Sequence, residues 1–131
     1  MADENACQEW LFRYQWPDGF VCPHCGEVRY YKVPGRIQYE CAGCGRQIAL
    51  TNGTIMYKSR IPLYKWFGAV ALYNADKEIS AAELGRQLCL TKPTAWLMLK
   101  KIRAALKTRE GRLLLAKIAE WMSKRGERGL A

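Results

Sequence analysis

At 131 residues the chain has room for one or two small domains and too little for a large enzyme core. Half of its residues are apolar and a quarter charged, a globular balance, and no apolar run approaches the roughly 20 residues that span a bilayer, so no membrane partner is expected. The formal charge of +9 is laid down unevenly: through Tyr57 there are 5 Lys/Arg against 6 Asp/Glu, and from Lys58 onward 16 against 6. A basic second part suits a polyanion, because Lys and Arg that neutralise phosphates release condensed counterions, although a Lys-rich surface also serves solubility.

The chain opens on MADENACQEW, acidic and without the basic start and apolar stretch of a secretory signal. A reducing cytoplasm is the expected setting. Residues 1–57 are read as an N-terminal helix followed by a ribbon, since Cys22, Cys25, Cys41 and Cys44 form C-x2-C-x15-C-x2-C, the spacing at which two tight loops present four thiolates to one tetrahedral zinc. Gly26 and Gly45 follow the second cysteine of each pair and can take the positive φ such a loop favours, while Pro23 stiffens the first. Between the pairs, VRYYKV and RIQYE are β-prone and flank a Pro34-Gly35 turn. Strands this short bury too little to hold themselves, so one structural Zn2+ is expected to supply the folding energy, on the order of 10 kcal/mol. The rival roles are a disulfide pair, disfavoured by the compartment, and a redox Cys-x-x-Cys, which would sit beside a βαβ pattern absent here. Four thiolates leave no position for a reactive water, which argues against catalytic zinc. His24 could replace a cysteine but is expected to be a surface residue, and Cys7 and Cys89 to be ordinary buried or half-buried thiols.

Over residues 58–108 the apolar period becomes helical. Pro62 opens a helix with Leu63, Trp66, Phe67, Val70 and Ala71 on one face, ending near Asn74-Ala75-Asp76. Ser80-Ala81-Ala82-Glu83 is a capping box for a second helix carrying Leu84 and Leu88. After a break at Cys89-Leu90, Thr91 is the expected N-cap of a third helix running to Lys107, with Pro93 in its first turn. Helix, tight turn, helix is the outline of a helix-turn-helix, whose second helix enters the major groove.

In that third helix Ala95, Met98, Leu99, Ile102 and Leu106 share the face expected to pack, and Pro93, Leu97, Lys100, Lys101 and Lys107 share the other. Thr91, Lys92 and Thr94 lie at the exposed N-terminal end, where such proteins contact base edges. Arg103 is lateral and suits a phosphate grip, as do Lys58, Arg60, Lys65 and Arg86. Trp96, on the flank, is expected to pack against a neighbouring helix rather than to stack on a base. Residues 109–131 form a last segment in which Leu113, Leu114, Ile118, Trp121 and Met122 make an amphipathic helix, with SKRGERGLA fraying at the end.

The segments WPDGFVCPHCG, YECAGCGRQIALTNGTIM, IPLYKWFGAV and ISAAELGRQLCLTKPTAWLMLKKIRAAL follow one another in a way that resembles the front of zinc-ribbon insertion-sequence transposases of bacteria, over Cys7 to Leu106. The resemblance implies an N-terminal DNA-binding part built of ribbon and helix-turn-helix, which recognises the element's terminal inverted repeats. Members continue into an RNase H-like domain whose acidic residues bind two metal ions for strand cleavage and transfer. Here the chain stops at Ala131, and after Thr108 the acids are Glu110, Glu120 and Glu127, with no alternating β pattern to seat them. No catalytic residue is assigned.

The expectation is a small α+β protein, an N-terminal zinc ribbon of short antiparallel strands with zinc held by four cysteines, followed by an all-α helix-turn-helix domain. Its function would be sequence-specific binding of double-stranded DNA, in the cytoplasm and on the nucleoid of a bacterium, without small-molecule substrate or cutting activity of its own. The protein partner would be a second copy or a full-length transposase. The rival function is an adaptor or transcriptional regulator that docks through the ribbon or the C-terminal helix.

Overall fold

Three short strands and five helices make up the computed structural model, which describes the backbone of residues 3–130 and the side chains of residues 3–125. The fold is small α+β and divides into a ribbon unit, Glu4–Lys58, and a helical unit from Ser59 onward.

The ribbon unit begins with α1 (Glu4–Gln15), followed by β1 (Tyr30–Lys32), β2 (Gln38–Cys41) and β3 (Gln47–Ala49). The strands form an antiparallel meander in sequence order, with Tyr31 opposite Glu40 and Tyr39 opposite Ile48. Gly35, at φ +73°, makes the β1–β2 turn expected at Pro34-Gly35. The strand read from Val28 to Val33 contracts to three exposed residues, and β3 is an addition to the two strands expected. A sheet this small cannot close a core by itself. The unit instead gathers an aromatic cluster: Phe12 of α1 meets Tyr39 edge-on at 5.2 Å, Trp16 meets Tyr39 at 5.8 Å, and Phe20 lies 5.0 Å from both Trp16 and Tyr30. Aromatic pairs at such separations add about 0.5–1.5 kcal/mol each beyond their area. Gln15 fixes the chain after β3, its amide donating to the carbonyls of Leu50 at 3.0 Å and Asn52 at 2.7 Å.

The helical unit contains α2 (Leu63–Ala75), α3 (Ala81–Leu88), α4 (Lys92–Ala105) and α5 (Arg109–Leu130). Pro62 precedes α2 with the fixed φ of −59° that suits a helix entrance. Trp66 and Phe67 are fully buried; the Trp66 indole donates to Ser59 Oγ at 3.0 Å, and Phe67 meets Trp121 of α5 edge-on at 5.8 Å. Two apolar positions differ from expectation. Leu106 is only half-buried because α4 ends at Ala105, which takes the covered place, and in α5 Leu113 is 52% exposed while Leu115 is buried beside Leu114. The helix α5 also continues through the stretch expected to fray from Ser123; the side chains past Arg125 lie outside the described residues.

Between α3 and α4 the chain reverses in three residues. Ser80 caps α3 by accepting from Glu83 N–H at 3.1 Å, Cys89 closes it in the left-handed region at φ 56°, and Leu90 N–H returns to Gly85 O at 2.8 Å. Cys89 is consequently exposed, where a buried or half-buried thiol was expected. The tightness of the turn depends on Gly85, since a Cβ there would stand 2.7 Å from the Leu90 carbonyl oxygen, a backbone atom that cannot swing aside. Gly85→Ala is expected to destabilise the protein by about 1–3 kcal/mol, the usual range for forced overpacking, read as a lowered midpoint in urea denaturation of the zinc-loaded chain.

Candidate metal centre and nucleic-acid surface

Each Cys-x-x-Cys loop is drawn tight by the same pair of backbone bonds. Cys22 N–H donates to Glu27 O and Gly26 N–H to Cys22 O, both at 2.9 Å; in the second loop Cys41 N–H reaches Arg46 O at 2.9 Å and Gly45 N–H reaches Cys41 O at 3.0 Å. Gly26 and Gly45 take φ values of +78° and +76°, which a side chain would strain. Further N–H groups then point at sulfur: His24 N–H lies 3.4 Å from Cys22 Sγ, and Gly43 and Cys44 N–H lie 3.3 and 3.4 Å from Cys41 Sγ. Gly43 admits the side of Glu27, whose methylene carbons lie 3.1–3.2 Å from where a Cβ would stand. Glu27 in turn holds the start of the return segment, accepting from Val28 N–H at 3.0 Å and pairing with the Arg29 guanidinium at 2.8 Å. That pairing and the backbone donors keep its carboxyl down at about 2.

The two loops bring four sulfurs together, all within 4.8 Å of one another, with Cys22–Cys44 at 3.8 Å and Cys25–Cys41 at 3.4 Å. A disulfide would need about 2.05 Å, and a tetrahedron with zinc–sulfur bonds of about 2.3 Å has edges of about 3.8 Å. The electrostatics of the cluster suit a cation. Burial raises the Cys22 thiol, yet the N–H groups of His24 and Cys25 and the thiols of Cys41 and Cys25 outweigh it and hold the group at about 6. For Cys25 the Glu27 N–H works downward, but the thiols of Cys41, Cys22 and Cys44, together with burial, push it up to about 12. Sulfurs this close cannot all ionise unless positive charge sits among them. The donor set fits one structural zinc. His24 remains outside it, exposed, with its Nδ1 3.2 Å from an Arg46 guanidinium nitrogen.

The second surface lies on α4. Ala95, Met98, Leu99, Ile102 and Ala105 are buried, which turns the rest of the helix outward. Thr91, Lys92 and Pro93 are exposed at its start. The Thr91 hydroxyl caps the helix, accepting weakly from Thr94 N–H at 3.4 Å and donating to Thr94 Oγ1 at 2.9 Å, so Thr94 is half-buried in the cap network. Leu97, Lys100, Arg103 and Lys107 are exposed and Lys101 half-buried; the Arg103 guanidinium lies over the Tyr73 ring of α2 at 5.9 Å. From Thr91 to Thr108 there is no acidic residue against five Lys/Arg.

Several expected phosphate grips are otherwise engaged. Lys65 is half-buried with its ammonium 3.5 Å from Cys89 O, so it steadies the α3–α4 turn. Arg86 is exposed but forked onto Glu83, whose carboxyl it holds, with help from Gln87, at about 2. Arg60 is exposed in the helical unit; Lys58 is exposed in the ribbon unit with its ammonium 5.5 Å from the Tyr57 ring. Trp96 departs from expectation altogether. It does not wedge between helices: it is 56% exposed, with the Lys100 ammonium 5.2 Å from its ring. Counting turns from the apolar positions would have placed it there, since it lies about 120° from the centre of the packing face and close to Lys100 on the wheel.

The chain joins a four-thiolate ribbon to a basic helical unit. Residues 2–47 match the family model of the transposase zinc-ribbon domain, so this part of the chain is similar to the zinc ribbons of transposases. A relative is an uncharacterized protein in transposable element ISH50 of Halobacterium salinarum, 34% identical over an alignment of 77 residues that covers 55% of this chain and 26% of the relative. The chain thus spans about a quarter of the length of that insertion-element protein. No solved structure matches. Among the described residues no further cluster of three acidic, histidine or cysteine side chains converges as a metal site, and no helix is long and apolar enough to cross a membrane.

Purified protein is expected to carry one zinc per chain, and Cys41→Ser to lose it together with the ribbon fold, whereas His24→Ala keeps both; elemental analysis and circular dichroism decide. A strong chelator should unfold the ribbon while the α2–α5 helicity persists, because the two units have separate cores. Zinc retention, followed with a metallochromic dye, should decline as the pH falls, because protons compete with the ion for the four thiolates.

Proposed function

We propose that the helical unit binds double-stranded DNA with the outward face of α4 in the major groove, and that the ribbon contributes an auxiliary contact surface. The observation that carries this is the composition of that face: Lys92, Lys100 and Arg103 stand in solvent on one acid-free helix entered through a tight turn, and Lys107 stands just past its end, since the helix stops at Ala105 and does not run to Lys107 as expected. A helix about 10–12 Å across fits the major groove, and lysines along it would reach phosphates on either wall. The relation of the ribbon to transposase zinc ribbons, and of the chain to an insertion-element protein, supports the terminal inverted repeats of such an element as the target. In this role the chain recognises DNA and leaves strand cleavage to catalytic machinery it does not itself show; incubation with labelled duplex and Mg2+ or Mn2+ is expected to give no nicking.

A protein-docking role for the ribbon has its own observation, the exposure of Val28 at 60% and Tyr31 at 65%. The occupant would be a second copy or a full-length transposase. The two roles separate in a salt titration, because contacts to phosphate give a steep fall of affinity with ionic strength and docking on apolar groups does not. Arg103→Ala or Lys107→Ala should weaken binding to every duplex alike and flatten the slope of log affinity against log salt by about one unit each, while Lys92→Ala should relax sequence preference. Affinity indifferent to salt would reject DNA as the partner, and equal losses for cognate and random duplexes in all three variants would reject base reading.

A further inference from the structure

The basic face of α4 is not uniformly polar. Trp96 and Leu97, 56% and 46% exposed, sit in the middle of it, and Pro93 is exposed one turn earlier. At 3.6 residues per turn Trp96 lies about 40° to one side of Lys100 and Leu97 about 60° to the other, so the apolar groups bracket the lysine. An exposed indole beside an exposed leucine is unfavourable in water unless something apolar covers them. In a helix ringed by cations and free of acids, the cover must be compatible with a polyanion. The apolar group that duplex DNA offers on the floor of its major groove is the C5-methyl of thymine.

We infer that Trp96 and Leu97 determine specificity by packing on thymine methyl groups, so that the preferred site carries thymine where α4 crosses the groove. The inference rests on the placement of α4 in the major groove. Lys100 supports the placement: its ammonium lies 5.2 Å from the centre of the indole ring, so cation and ring occupy one exposed stretch of the helix. Hydrogen-bonding side chains on this face are few, with Thr94 tied into the cap, and apolar contact is therefore the principal means by which the centre of the helix tells one base pair from another.

The test uses the full zinc-loaded chain and the duplex it recovers from a random pool, compared with the same duplex made with deoxyuridine for thymidine, which removes the methyl and keeps the pairing. Thymine should be enriched in the recovered sites, and deoxyuridine should weaken binding about four-fold for each methyl covered. Trp96→Ala should bind more weakly and lose part of the difference between the two duplexes, Trp96→Phe should regain some of it, and Trp96→Ala combined with Leu97→Ala should lose it altogether. Because Trp96 and Leu97 are exposed, unchanged circular dichroism and zinc content are expected in all three variants. Steeply salt-dependent binding that ignores deoxyuridine, or a Trp96→Ala, Leu97→Ala double variant as sensitive to it as the unaltered chain, would overturn the inference and leave α4 as a groove binder. Absence of salt-dependent binding would overturn both. Sedimentation without DNA is the companion measurement: self-association abolished by Trp96→Ala would assign this face to a second copy of the chain instead.

Discussion

Four sulfurs confined within 4.8 Å repel one another as soon as more than one ionises, and everything in the ribbon unit is arranged so that a divalent cation resolves that conflict. The loops that carry them are closed by backbone bonds whether or not the sheet is strong, and a three-residue strand paired to a four-residue one is not strong. The ion therefore joins two prefolded corners across a weak hairpin. Once they are joined, Phe12, Trp16, Phe20, Tyr30 and Tyr39 can stack against a sheet that no longer slips in register.

The helical unit is stabilised differently, by a conventional apolar core around Trp66 and Phe67, and its distinctive feature is steric. Gly85 lets the α3–α4 turn close on itself, and Lys65 and the Thr91 cap hold it closed. The result is a helix that spends one face on packing and leaves the other to solvent with its cations and its indole. Rotation of the helix is fixed by the burial of Ala95, Met98, Leu99 and Ile102, which leaves Trp96 on the solvent side.

What could be read from the chain beforehand follows from how local each feature is. The cysteine spacing, the glycines after each pair, the Pro62 entrance and the Ser80 and Thr91 caps are short-range chemistry, and the structure contains them, although the capping box read at Ser80 is half made because the Glu83 carboxylate turns to Arg86 and Gln87. β3 was not legible because Gln47–Ala49 is too short to show a period. The exchange of Leu113 for Leu115, and of Leu106 for Ala105, turns on where a helix begins or ends by a residue, which composition does not specify. Lys65 and Arg86 looked free because their partners, Cys89 O and Glu83, are set by folding and rotamer choice. Trp96 was misjudged because large aromatic residues are usually interior, and here the wheel position outweighs the general preference. The domain limits, the DNA contacts and the inverted-repeat target remain as proposals.

The lysine resting over the Trp96 ring has a thermodynamic corollary. A free lysine side chain surrenders up to about 2 kcal/mol of rotamer freedom when it is fixed. Lys100 has already given up part of it to the indole, so seizing a ligand anion would cost this residue less disorder than it costs Lys92 or Lys107, and complex formation there would be correspondingly richer in entropy than at its neighbours.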